Sequence, residues 1–465
     1  MKITRVQVLA VTTASLLALT ACGGSSSTGA TPVGNTTSAT SGAATSAAGS
    51  STATATGAAA GASAAASSVP KLPRVHLTMW TAQASATEAD QVIGAFEKAT
   101  GATVEKVVIP DPYETNVPTK FASGAKPDLM FYQPSQNTLA ALQYKKNLLP
   151  LDNEPWVSRY ADSVKQQGII DGTRYAAIVT SPSVIGVYYN KADFAKAGIT
   201  TMPVGYDELI ADAKKLKAAG ITPFYEAGAD KWPLAWQVAV QLAEPTKDGS
   251  LWPALNANKD KWTNPVFTDA ITKYQSVIQQ GLVNSDYKTG TFVNQGTAVY
   301  DGTAAMAVQL DALLSEIQAK HTPAEIDKNL GFFPISAKGS IATNNPDQTN
   351  AVVLLNTENK QRQDGAKALL NFWLGADYPA FIAAAKTTSI ETGVDSPAAV
   401  PQIARTISAS LANSVPSLYI EPVAHVDLYL YLADMLYGKK TPQQVAKASQ
   451  DEFTQEATAQ GVPGF

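Results

Sequence analysis

Three positions stand out because a group able to bind follows a short apolar run. Trp80 closes the alternating run that begins at Arg74. Pro110-Asp111 follows a Val- and Ile-rich run over 103–109. Tyr132-Gln133 follows the run 128–131. Flat rings beside a carboxylate and an amide are the chemistry of a site that holds a polar organic molecule. Covalent chemistry has less to work with. The single Cys, Cys22, excludes an intrachain disulfide framework and a zinc site of the Cys-pair kind. His76, His321 and His425 are scattered and leave little for a His-based metal site or triad. Nucleophile-elbow, zincin, P-loop and Rossmann fingerprints are absent. Asp207-Glu208 reads as a solvated helix start rather than a pair of catalytic acids. A formal charge of −4 gives no basic surface for nucleic acid. The reading is a binding protein, not an enzyme, with no cofactor and no metal.

Those positions need elements to hold them. The runs 74–80, 103–109 and 128–131 read as strands. Between the first two, Val92, Ile93 and Phe96 share a helical face and Gly101 suits a left-handed stop. Between the second and third, Pro118 is placed to start a short helix ending at Gly124. Strands alternating with helices imply a largely parallel sheet covered on both faces, with ligands at the strands' carboxyl ends. The middle repeats the theme: strands at 175–178, 186–189, 221–225, 304–309 and 351–355, and helices at 207–219, 265–281, 310–320 and 361–374. The last quarter is helical, closing with Thr441 as the cap of a helix to about 457. The expected fold class is α/β, and 465 residues allow one large or two medium domains.

The N-terminus reads as an address. Lys2 and Arg5 precede an apolar run from Val8 to Leu19, too short for a comfortable permanent span. The sequence Leu19-Thr20-Ala21-Cys22 resembles the lipobox of bacterial lipoproteins, which implies cleavage before Cys22 and its lipidation. Loss of Lys2 and Arg5 with the leader moves the formal charge to −6. Of the 47 residues at 23–69, 43 are Gly, Ala, Ser or Thr and none is charged. Such a segment is a tether that cannot bury enough apolar surface to fold. As a coil it reaches roughly 35–40 Å.

A series of short motifs then carries a resemblance. FEKATG at 96–101 with VE at 104–105 is followed in order by GAKPDL at 124–129, LPLD at 149–152 and DGTRY at 171–175. GVYYNK at 186–191, AGI at 197–199, YDEL at 206–209, GTAAM at 302–306 and GFFP at 331–334 complete the set. Together they resemble the family 1 extracellular solute-binding proteins, the receptors of ABC sugar importers, of which maltose-binding protein is the familiar case. The resemblance implies a periplasmic-binding-protein-like fold, two α/β lobes joined by a hinge with the ligand cleft between them. It implies a lipid-anchored receptor on the outer face of the bacterial cell membrane, a monomer that binds a sugar or oligosaccharide and delivers it to ABC permease subunits. The corresponding division is a signal peptide at 1–21 and the lipidated Cys with its tether at 22–69. The first lobe takes 70–180 and 335–390, and the second takes 181–334 and 391–465 with the C-terminal helices.

A sugar presents hydroxyls at its edge and C–H bonds on its faces, so its pocket should combine rings with short polar chains. Trp80, Tyr132, Trp232 and Tyr419 are the candidate platforms, and Asp111, Gln133, Gln309 and Asp311 the candidate edge binders. Trp232 sits in the family's Trp-Pro-Leu pattern, and Ser183 lies where relatives place a polar cleft residue. Trp236, one turn beyond Trp232, is expected in the core. After Met306, where relatives commonly carry a Gly and a Trp, this chain has AVQLD at 307–311. That removes a stacking platform and favours a shorter or more polar ligand than a long maltodextrin. The alternatives are another small solute on the same fold (a polyamine, a metal or ferric ion) or a tethered glycoside hydrolase. Tyr188-Tyr189 resembles the paired tyrosines of ferric-ion binders, but adjacent strand residues face opposite ways, so only one could reach a metal.

Overall fold

The computed structural model describes residues 70–83, 85–110 and 113–465. The lipobox, Cys22, the tether and Asp111 lie outside the described residues. Twelve strands are described: β1 (His76–Thr81), β2 (Thr103–Val108), β3 (Leu129–Phe131), β4 (Ile169–Ile170), β5 (Thr173–Arg174), β6 (Ala176–Ile178), β7 (Ser183–Asn190), β8 (Met306–Gln309), β9 (Leu330–Phe333), β10 (Ala342–Asn345), β11 (Ala351–Leu354) and β12 (Ser414–Pro416). They form two five-stranded sheets and one small hairpin. The first sheet runs β2-β1-β3-β11-β6. The second runs β12-β10-β7-β8, with β9 also on β7.

Each sheet is parallel apart from one reversed strand. In the first, β11 runs antiparallel to both β3 and β6. In the second, β7 runs antiparallel to β8, β9 and β10. These are the two strands by which the chain passes from one sheet to the other. A strand entering from the opposite lobe arrives travelling the wrong way, so the crossing itself sets the reversal. β10 belongs to the second sheet, so residues 335–345, given to the first lobe on sequence grounds, go with the second. The return to the first sheet comes over 346–351.

Each sheet organises its own core. The first is built on Leu77, Met79, Phe131 and Val352, with the helices Asp90–Thr100 and Lys360–Trp373 packed over it. The helix Asp90–Thr100 buries Val92, Ile93 and Phe96 and stops at Gly101, whose φ of 80° is open to glycine without strain. The second core gathers Ile185, Phe224, Trp252, Trp262 and Phe267 with the helices Pro265–Gln279 and Pro442–Ala459. A capping box closes the start of the last helix, with Thr441 and Gln444 bonding each other's backbone.

Two local expectations fail. Pro118 lies inside the helix Tyr113–Ala122 rather than at its start. The helix begins earlier because Tyr113 and Val117 are buried, and the Tyr113 hydroxyl donates to the Phe131 carbonyl at 2.6 Å. Tertiary burial thus outweighs the cost of an interior proline. Residues 221–225 form no strand. Phe224 makes only isolated bridges to Val283 and Met306, and Pro223 has no N–H to extend a ladder.

Candidate functional site

The cleft between the sheets holds two cavities that meet at Asp347 and Gln348, on the return crossing. The first, of about 680 Å³, takes one wall from the first lobe. Tyr132 and Gln133 follow β3, and Asn137 and Thr138 lie on the helix Gln136–Ala141. Ser135 caps that helix. The opposite wall is aromatic. Trp232 and Trp236 stand 6.1 Å apart at 66°, Trp236 and Tyr419 meet edge to face at 5.8 Å, and Tyr419 stacks on His425 at 5.6 Å. Asp427, Glu452 and Glu456 complete it.

The electrostatics of this wall follow from burial and one hydrogen bond. The His425 imidazole lies 3.0 Å from Asp427 Oδ1 and holds that carboxyl below its ordinary range. The Asp427 backbone N–H donates to Glu452 Oε2 at 2.7 Å, and burial pushes Glu452 up. The indole N–H of Trp236 and the hydroxyl of Tyr419 are buried with no hydrogen-bond partner among the described residues.

The second cavity, of about 510 Å³, is bounded by Ser183 at the head of β7, Asp311 after β8, Asp347, Glu88 and Lys386. Burial raises Asp311 to about 6 against a hydrogen bond from Ser183 that lowers it, with Asp347 adding repulsion. Thr349 donates to Asp347 Oδ1 from its backbone at 2.7 Å and from its hydroxyl at 2.6 Å. Asn350 ties this crossing to the outward one by donating to Thr180 Oγ1 at 3.0 Å and to the Ser181 carbonyl at 3.1 Å.

The structure brings Tyr132, Gln133, Trp232 and Tyr419 together around the first cavity, and Ser183 and Asp311 around the second. Two candidates fall elsewhere. Trp80 is 6% exposed, packs edge-on against Phe121 at 6.1 Å and lines neither cavity. It lies at the carboxyl end of β1, as expected, but strand alternation turns its ring into the layer beneath the helix Tyr113–Ala122. Gln309 is fully buried, its amide donating to Gln295 Oε1 at 2.8 Å and its oxygen accepting from Leu310 N at 2.9 Å. That side chain is spent on joining β8 to the helix Phe292–Asp301. Tyr188 packs against Phe332, and Tyr189 against Phe194 and Phe333, and neither ring lines either of these two cavities.

Trp236, expected in the core, is in the second core at 5% exposed and also reaches the cavity wall, while Asn137, Thr138, His425, Asp427, Glu452 and Glu456 line the cavity without the sequence having singled them out. A signal existed for the last two. Spaced four apart on one helix, they share a face.

The chain matches the family described as bacterial extracellular solute-binding protein over residues 81–378. It belongs to that family. Among curated relatives, a binding protein of Brucella abortus strain 2308 is 39% identical over 74 residues, which is 15% of this chain. The match spans only 18% of that relative's length. Among solved structures of solute-binding proteins, a chitin oligosaccharide binding protein superimposes with a TM-score of 0.68 at 20% identity. It covers 83% of this chain and 99% of its own. The solute-binding protein RafE in complex with raffinose superimposes with a TM-score of 0.62 at 18% identity, covering 82% of this chain and 99% of its own. At such identities the likeness is one of fold, that of two α/β lobes on either side of a cleft.

Proposed function

We propose that this solute-binding protein holds a sugar or oligosaccharide in the cleft and serves as the receptor of an ABC importer. One observation carries the reading: the first cavity sets an aromatic wall of Trp232, Trp236 and Tyr419 across from short polar chains of the other lobe, Gln133, Asn137 and Thr138. Rings match the C–H faces of a pyranose, and amides and hydroxyls match its edge. Chitin oligosaccharide and raffinose are what two structural relatives are described as binding, which supports the same class here. Closure of the lobes on the ligand would give permease subunits a shape by which to tell loaded receptor from empty. The lipobox at 19–22 supports lipidation of Cys22, and the uncharged tether would leave the lobes free to reach a neighbouring permease.

The reading is tested by a thermal-shift screen against mono-, di- and oligosaccharides. A ligand at about 100 times its dissociation constant adds roughly 2.7 kcal/mol of stability. A screen in which no saccharide shifts the transition would overturn it. So would release of shortened product from an oligosaccharide, which would make the protein a hydrolase.

A further inference from the structure

The charged groups around the first cavity are unequally signed. Asp347, Asp427, Glu452 and Glu456 line it, and no Lys or Arg does. Among the described residues none of the four is ion-paired to a Lys or Arg, and Asp427 pairs with His425. The one basic group is His425, already engaged with Asp427. Removing carboxylates from water without a cation is costly, and burial already pushes Glu452 and Asp347 up. The rings on the same wall also lack a cation. Among the described residues no Lys or Arg lies over Trp232, Trp236 or Tyr419, although such contacts occur on other tyrosines. Asp427 has His425, Glu452 accepts from the Asp427 N–H and Asp347 accepts twice from Thr349, yet a neutral sugar would satisfy the rings and leave four carboxyl groups facing it with no Lys or Arg among the cavity-lining residues. A cation would use both, through charge-assisted hydrogen bonds and through the ring faces.

We propose that the ligand of this cavity is a saccharide bearing a protonated amine. The inference rests on the sugar reading above and narrows it. The amine is held against Asp427, Glu452 and Glu456, and the sugar faces lie on Trp232 and Tyr419. The indole N–H of Trp236 is buried in the same wall without a partner among the described residues.

Calorimetric titration of the full-length protein at pH 6 tests this. The probes are glucosamine oligomers, kanamycin, the N-acetylated glucosamine oligomers, raffinose and, as a cation that is not a sugar, spermidine. The expected result is that an amino sugar binds at least about tenfold tighter than the uncharged saccharides, the scale of one charge-assisted hydrogen bond. Glu456→Gln should remove about that factor for the amino sugar and cost the neutral ones distinctly less, so that the preference for the amine shrinks; an equal loss for both overturns the amine inference. Asp427→Asn serves as the second variant, and the melting point of each free variant reports its folding. An uncharged saccharide that binds as tightly as its amino counterpart overturns the amine inference and leaves the sugar reading standing. Spermidine binding with no saccharide bound overturns the sugar reading itself. A panel in which nothing binds overturns both.

Discussion

Glu226 offers a quantitative test of how the second lobe is held together behind the aromatic wall. It is 3% exposed, accepts from Gln237 Nε2 at 2.7 Å and from the Tyr274 hydroxyl at 2.9 Å, and has no basic partner. The Tyr206 hydroxyl donates to Gln237 Oε1 at 2.7 Å and completes the network. Gln237 follows Trp236 directly, so the network fixes the helix Trp236–Ala239 that carries a cavity ring. Burial pushes the Glu226 carboxyl from 4.5 up to about 7, against the two hydrogen bonds that favour its charged form. The folded protein therefore binds more protons at this site than the unfolded chain between those two values. Stability from this group is greatest below pH 4.5, falls as pH rises to about 7, and is flat beyond. At 1.36 kcal/mol per pH unit the whole loss is about 3 kcal/mol. For about 400 folded residues that corresponds to roughly 4 °C in melting temperature. Glu226→Gln keeps an acceptor for Gln237, offers an N–H to the Tyr274 oxygen and does not titrate. Part of the loss is already complete at pH 5, so melting curves at pH 5 and pH 8 should show the parent losing about 3 °C more than the variant over that interval. Parallel pH profiles for the two proteins would refute the reasoning.

Other outcomes follow from the placement of single residues. Trp232→Ala should weaken saccharide binding about 5- to 150-fold, from 1–3 kcal/mol of lost ring contact, and leave the free protein's melting point nearly fixed. Trp80→Ala should do the reverse, costing roughly 3–5 kcal/mol of stability with affinity unchanged in the folded protein; calorimetry and melting curves on both variants separate the roles. Small-angle scattering should give a smaller radius of gyration at ligand saturation, and an unchanged value would count against closure of the lobes. Cys22→Ser should shift the protein from the membrane fraction to the soluble one without altering ligand affinity, and retention of the variant on membranes would refute lipidation.

The sequence was informative where local pattern and chemistry coincide. The strand read at 74–80, the helix face of Val92, Ile93 and Phe96 and the cap at Thr441 are local, and the structure has a strand at His76–Thr81, that buried face and that cap. Placement at a strand's carboxyl end also pointed to Tyr132 and Gln133, which the structure sets at the first cavity. The same rule misplaced Trp80, because being at the end of a strand does not fix which side of the sheet a ring takes. Gln309 illustrates a different limit. A polar residue at the end of a buried strand looks free for a ligand, and only the fold reveals that Gln295 and the Leu310 N–H consume it. The acidic wall was hidden for a third reason. Asp427, Glu452 and Glu456 come from the end of the chain, far in sequence from Tyr132, and the four-residue spacing of Glu452 and Glu456 marks a shared face without telling whether that face turns to a cavity or to water.

The position of β11 has a consequence for how the protein is made. It stands between β3 and β6 in the first sheet, yet it is separated from both by the strands and helices of the second lobe. A chain emerging N-terminus first has β1, β2 and β3 in hand early and nothing to join them to β6 until residues 351–354 appear. β12 then closes the edge of the second sheet later still. Neither half can finish before the other is largely synthesised, so the nascent chain stays in an unfinished state for most of its length. That delay suits a polypeptide that must remain threadable. It also means that a break at 350 would remove an inner strand of a sheet rather than trim a tail.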